Sequence, residues 1–287
     1  MILGLFPESW EWHIAPLFDA AVDWLVITYP QVFEGISSII LTILIKIKFA
    51  LITIPWWGII VIVGALSWWT TRRWTTTCTL MGFLVLIGMF GLWAPAMETL
   101  ALVLTAVTIS LTLGIPIGVL MAEIDRAEML IKPILDVMQT LPSFVYLVPA
   151  VMLFGLGKVP AVMATVIYGT PPVVRLTNLG LRQVPHEVEE ATKAFGATRW
   201  QLLKEVRVPL AVPSILTGIN QTTMMALAMT VIASMIGAGG VGREVLFSIN
   251  HIEVGVGFEA GGSIVMLAII IDRLTQGIAK RWEPPSS

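Results

Sequence analysis

The sequence predicts an all-α fold: a polytopic membrane helix bundle of about seven transmembrane helices, preceded by N-terminal interfacial helices. Three observations predict it. Residues of the set AVILMFWYC make up 56% of the 287 and charged residues only 13%, with mean hydropathy +0.88, whereas a soluble domain carries about 25% charge. Seven stretches lack Asp, Glu, Lys and Arg and approach the roughly 20 residues a helix needs to cross the hydrocarbon. The basic residues then fall mostly on one side of those stretches. A net charge of −2 gives no reason to expect nucleic acid as a partner, and the single Cys78 excludes an intrachain disulfide or a cysteine metal cluster.

The chain opens with MILGLFPESW, which has no basic residue and holds Glu8, so a cleaved signal peptide is not expected. Residues 1–48 read as an external or interfacial tail, with Trp10, Trp12 and Trp24 interleaved with acids as in an amphipathic helix or a helix packed on the bundle. Gly35 to Ile45, followed by Lys46 and Lys48, suits the interface better than a crossing.

The charge-free runs are 49–71, 74–97, 99–122, 137–157, 159–174, 208–242 and 260–271. The first two form an accessory pair within 49–94, bracketed by Trp56, Trp57, Trp68, Trp69, Trp74 and Trp93, rings that favour the headgroup layer. With seven spans and the N-terminus outside, 13 of the 17 Lys and Arg residues face the cytoplasm and 4 face out. Retention of basic residues on the inner side supports that orientation, with the C-terminus cytoplasmic. Gly114, Pro116, Gly118, Pro149, Pro171, Pro172, Pro213 and Gly218 interrupt the later spans. They predict bent helices, or close helix packing through small residues as at Gly114xxxGly118 and Gly257xxxGly261.

The longest polar interval, 175–207, is cytoplasmic in this orientation. Pro185 opens a helix through Phe195 with Glu187, Glu189 and Glu190 in its first turn, where the helix dipole favours negative charge. Gly196 breaks it, and Thr198 caps a second short helix, Arg199 to Val206, that ends before Pro209. Trp200, Leu203 and Val206 recur at helical spacing, leaving one apolar side to dock.

On these residues the chain resembles a known family. Glu190, Ala191 and Thr192, then Gly196, then Val206, Val208 and Pro209 reproduce the spacing of the Glu-Ala-Ala…Gly motif of permease subunits of binding-protein-dependent ABC importers. Thr stands for the second Ala, and Val for Ile and Leu. The stretches 135–160, 168–180, 218–242 and 270–276 resemble the glycine betaine/proline betaine permeases of osmoregulating bacteria. The resemblance implies a type I importer core over 95–281 in a bacterial inner membrane, with a coupling loop at 182–209 that docks on a separate ATPase. It also implies a permease homodimer, two ATPase subunits and an external solute-binding protein. ATP and Mg would then belong to the ATPase; no cofactor, metal or catalytic residue is expected on this chain, which has no Gly-x-x-x-x-Gly-Lys-Ser/Thr. Glu190, Ala191, Thr192, Gly196, Trp200, Leu203, Val206 and Pro209 become the coupling residues.

Uncharged polar residues in the spans, Gln139, Thr140, Ser143, Asn220, Gln221 and Thr223, with Met224, suit a path for a zwitterion, although interhelical hydrogen bonding accounts for each singly. Choline, ectoine or an amino acid as cargo stays open on these residues. A self-contained channel or secondary transporter is a rival of a different class, disfavoured by the lack of paired charges in the spans.

Overall fold

The computed structural model describes residues 15–282, in which every element is helical. Trp10 and Trp12 lie outside the described residues; Trp24 lies in α1 (Ala15–Thr28) and meets Tyr29 edge-on. Then follow α2 (Pro30–Thr53), α3 (Trp56–Thr71), α4 (Trp74–Met89), α5 (Trp93–Glu123), α6 (Asp125–Thr140), α7 (Leu147–Phe154), α8 (Lys158–Arg182), α9 (His186–Ala194), α10 (Arg199–Gln201), α11 (Val208–Ala233), α12 (Val241–His251) and α13 (Val254–Trp282). Among the described residues α2, α5, α8, the run Arg199–Ile236 and α13 are long and apolar enough to cross a bilayer. The 16-residue α3 and α4 are shorter apolar helices.

Several predicted boundaries move. The run 49–71 is not one span: Ile54 and Pro55 are extended and separate α2 from α3, because the residue before proline is driven out of the helical region. Gly35–Ile45 is no isolated segment but the middle of the 24-residue α2, whose Ile40 and Leu44 pack with Ala101 and Leu102 of α5. Phe33 meets Phe154 edge-on while Lys48 pairs with Glu98, which also holds Lys158. Phe154 and Lys158 are four residues apart, whereas Phe33 and Lys48 lie about 22 Å apart along the helix, so α2 crosses the bundle at a slant. The run 137–157 is a broken path: α6 stops at Leu141-Pro142, a short 3-10 turn follows, and the chain bends by 109° into α7. The run 208–242 ends at Ile236, where Gly237, Gly239 and Gly240 take φ of +89°, +84° and +73°.

The core is the triad α5, α8 and α11, brought together by missing side chains. A Cβ on Gly118 would sit 2.7 Å from the Val174 carbonyl and 2.6 Å from Thr177 Cβ; one on Gly114 would meet Val173 at 2.5 Å. On α11, a Cβ on Gly218 would come 3.0 Å from Val173 Cα. Gly114xxxGly118 is therefore a packing device, and α5, α8 and α11 run on through Pro116, Pro171, Pro172 and Pro213. Gly257 packs on Ser248, but Gly261 faces open space.

At the start of α5, Glu98 is drawn into the bundle, its side chain 19% exposed. Its carboxylate pairs with Lys48 and Lys158 and accepts the Gly240 N–H at 3.0 Å, while Thr99 Oγ1 accepts the Val241 N–H at 2.8 Å. Two α5 side chains thus cap α12 from across the bundle, satisfying donors that the start of a helix leaves open.

Candidate functional site

At the opposite end of the bundle, α9 and α10 form the predicted hairpin. Pro185 precedes the first turn of α9, with Glu187 and Glu189 in it. The turn closes through Gly196 N–H to Lys193 O at 2.9 Å, with Gly196 at φ +82°. No atom lies within 4 Å of a Cβ built there, so it is the left-handed backbone, not space, that calls for glycine. Thr198 caps α10 and Gln201 completes a capping box: Gln201 N–H to Thr198 Oγ1 at 3.3 Å and Thr198 N–H to Gln201 Oε1 at 2.9 Å.

The second helix does not end before Pro209. Leu202–Arg207 form a widened π turn that leads straight into α11, so Arg199–Ile236 is one continuous run. Pro209 lies inside this run, and the widened turn before it makes room for its ring and for its missing donor. The same widening turns the apolar side: Leu202 is the buried anchor, Leu203 and Val206 are half-buried, and Trp200 is 69% exposed. Phe195, at 93%, is the other bare aromatic at the tip; an aromatic directly before the turn glycine was the signal for it. Glu190, Ala191 and Pro209 are exposed and Thr192 is half-buried, its hydroxyl bonded to Val188 O. His186 pairs with Glu190 at 3.4 Å on the exposed side of α9.

What fixes this hairpin to the bundle is Arg207. Its guanidinium donates to both oxygens of Glu189, at 2.6 and 2.9 Å, and to Glu123 at the end of α5, at 2.6 Å. Glu189 is buried, and the Arg207 guanidinium holds its carboxyl below the usual carboxylate range, with Lys193 adding to the effect. Next to it, Arg182 on α8 contacts Asp125 at 2.7 Å, Glu128 at 3.0 Å and the Met121 carbonyl at 2.8 Å. Charge-assisted bonds thus tie α9 to α5, and the π turn that carries Arg207 leads into α11.

The predicted path residues divide. Gln139 and Gln221 line one cavity of about 430 Å³ between α6, α8 and α11, together with Arg175, Lys132 and Glu128. Asn220, one residue earlier and about 100° around the helix, points elsewhere and donates to Asp272 of α13 at 2.8 Å. Thr223 bonds its own helix at Ile219 O and Thr140 bonds Val137 O. Ser143 and Met224 are half-buried. The cavity is charged where the sequence suggested uncharged amides: Arg175 lies on α8, which continues to Arg182, and pairs with Asp136.

Residues 114–283 match the family described as "Binding-protein-dependent transport system inner membrane component". The chain is 46% identical to the glycine betaine transport system permease protein OpuAB of Bacillus subtilis, covering 92% of this chain and 94% of that one. It is 45% identical to the glycine betaine/proline betaine transport system permease protein ProW of Escherichia coli, covering 90% and 73%. In fold it is similar to a chain of the inward-facing MetNI methionine ABC transporter, with TM-score 0.59 at 21% identity over 65% of this chain and 94% of that one.

Proposed function

The chain belongs to the family of binding-protein-dependent transport system inner membrane components, and from that premise we propose that it is the permease through which an ATP-driven importer moves glycine betaine, proline betaine or a similar osmoprotectant. Solute arrives from an external binding protein, and ATP with its Mg is hydrolysed on a separate subunit, two copies of which serve a permease homodimer. Two curated relatives at 45–46% identity carry betaine permease names, which supports the cargo. In this reading the hairpin end of the bundle is cytoplasmic, and the basic residues of 175–207 support that orientation.

One observation carries the coupling role: a rigid, capped turn at Gly196 presents bare Phe195 and Trp200 while its root is tied to α5 and α11 by Arg207. Docking of Phe195, Trp200 and the half-buried Leu203 on the ATPase, with Glu190, Ala191, Thr192, Gly196, Val206 and Pro209 shaping the loop, transmits ATPase closure to the spans. Gln139 and Gln221 face the solute cavity, with Thr140, Ser143, Asn220, Thr223 and Met224 along the helices that line it. Of the accessory helices α2 to α4, α3 and α4 fall within 49–94, and the moving core is 95–281.

The test is Gly196→Asp, which adds a charge and a side chain at the tip. Membrane insertion is expected to be unchanged while ATP-driven betaine uptake and co-purification of the ATPase are lost. Normal uptake by that variant refutes the coupling role; uptake in vesicles without any ATPase refutes the importer reading altogether.

A further inference from the structure

Where α13 passes the α3–α4 hairpin, a recess of about 200 Å³ is lined by Thr70, Thr71, Arg73, Thr76, Arg273 and Gln276. It lies apart from the α9–α10 hairpin and the 430 Å³ cavity. Its end of the bundle follows from α4, which starts beside Arg73 and finishes next to the beginning of α5, where Glu98 sits. The recess is therefore at the Arg207 end. Gly277 builds it: a Cβ there would stand 2.7 Å from Thr70 Cβ, so α13 closes directly on α3. Arg281 seals one flank, its guanidinium 4.2 Å from the centre of the Trp69 ring and donating to the Trp69 carbonyl.

The recess brings together two arginines from separate elements, Arg73 at the start of α4 and Arg273 on α13. Arg175, Arg182 and Arg207 each meet a carboxylate. Among the described residues, Arg73 and Arg273 meet none. The acid next along α13, Asp272, is occupied by Asn220 and Gln276. Arg72, which precedes Arg73, is the left-handed C-cap that ends α3, at φ +53°. Two guanidiniums and Thr76 therefore line a space large enough for a phosphate group, and among the described residues neither guanidinium is held in an ion pair.

We propose that this recess binds the phosphate of an anionic phospholipid headgroup, which bridges the accessory hairpin to α13. Guanidinium forks match phosphate oxygens, and the Thr76 hydroxyl supplies a further donor, those of Thr70 and Thr71 being bonded to carbonyls of their own helix. A lipid, rather than a free anion, is favoured by the flanks: Leu66, Trp69 and Trp74 are exposed apolar or aromatic surface beside the recess, suited to acyl chain and headgroup layer respectively. Basic pockets between helices at the cytoplasmic side are the expected place for such headgroups.

The full chain, purified in non-ionic detergent and stripped of lipid, is offered phosphatidylglycerol, phosphatidylcholine or inorganic phosphate and followed by native mass spectrometry and thermal melting. Phosphatidylglycerol is expected to give a retained adduct and a higher melting temperature; phosphatidylcholine and phosphate are not. Arg73→Gln and Arg273→Gln are each expected to lower adduct occupancy about fivefold, because each removes a charge-assisted fork, while Arg126→Gln, on an exposed turn elsewhere, leaves it intact. Undiminished adduct in both glutamine variants, or an equal response to phosphatidylcholine, overturns the site. An equal response to phosphate alone overturns the lipid as its occupant. If a glutamine variant does not fold, the charge-keeping Arg73→Lys and Arg273→Lys decide: weaker retention than wild type supports the fork, and unchanged retention refutes it.

Discussion

The triad α5, α8 and α11 and the accessory helices α2 to α4 face the same solvent and solve different problems. Of the long helices, α8 and the run containing α11 are the least apolar and the most buried, 67% and 50% of their spanning windows; the strongly apolar α2 is 11% buried. A soluble protein would invert that order. Lipid solvates leucine and isoleucine as well as a core does, so burial in a bilayer is decided by close approach and hydrogen bonding rather than by removal of apolar surface. The triad is accordingly built on Gly114, Gly118, Gly180 and Gly218, and its close approach buries even Thr177 and Thr222, whose hydroxyls meet no hydrogen-bond partner among the described residues.

The strongest way to break that contrast is to put the same bulk in both regions. Gly118→Leu drives a side chain into the Val174 carbonyl and Thr177, backbone and β-carbon that have no rotamer to escape through. A loss of about 3 kcal/mol or more is expected, at the upper end of overpacking costs, read as disappearance of the monodisperse species in detergent. Gly82→Leu on α4, where nothing lies within 4 Å, is expected to leave that species intact. Equal damage from the two substitutions means that the triad is not the core.

Arg207→Ala ranks next. It leaves the buried Glu189 with only Lys193, at 3.5 Å, and the nearby Glu123 without its cation, a loss of about 2–4 kcal/mol given that the cluster is partly open to water. The effect has a pH signature. Because Glu189 is held below its ordinary range, its contribution is complete above the unfolded carboxylate value and fades as pH falls through the lower folded one. The melting-temperature gap between wild type and Arg207→Ala is therefore expected to be constant near neutrality and to close below about pH 4. A gap that persists in acid shows that packing, not charge, fixes the hairpin root.

Gly64→Ala sharpens the contrast at a smaller scale. Its new methyl meets only the Met81 thioether, 2.8 Å away at the end of a flexible side chain, so the α3–α4 hairpin adjusts for under about 1 kcal/mol. A cost matching that of Gly118→Leu shows that the accessory hairpin is packed as tightly as the triad.

How much of this was legible beforehand follows the range of the interaction. The α9 start at Pro185, the turn at Gly196 and the cap at Thr198 are written within a few residues, and the structure places them where the spacing does. Hydropathy located the membrane but not the breaks at Pro55 and Pro142, which charge-free runs conceal. Arg207 with Glu123, Asn220 with Asp272 and Glu98 with Gly240 join residues 84, 52 and 142 apart. No local pattern records such pairs, and each looks like an ordinary boundary residue until the helices are stacked. The neighbouring path residues Asn220, Gln221 and Thr223 separate because consecutive residues on a helix point in different directions.

The smallest expected effect is also the one that bears on how α2 is used. Gly35 lies inside α2 with open space where its Cβ would be, so Gly35→Ala in the isolated chain is expected to gain about 0.5–1 kcal/mol from helix propensity alone. The gain is read as a small rise in melting temperature with uptake unchanged. In the assembled transporter the same methyl tests whether that face meets lipid or another protein surface. A stabilised isolated chain together with a destabilised complex means that a partner approaches α2 as closely as α8 approaches α5, and the accessory region then belongs with the triad after all.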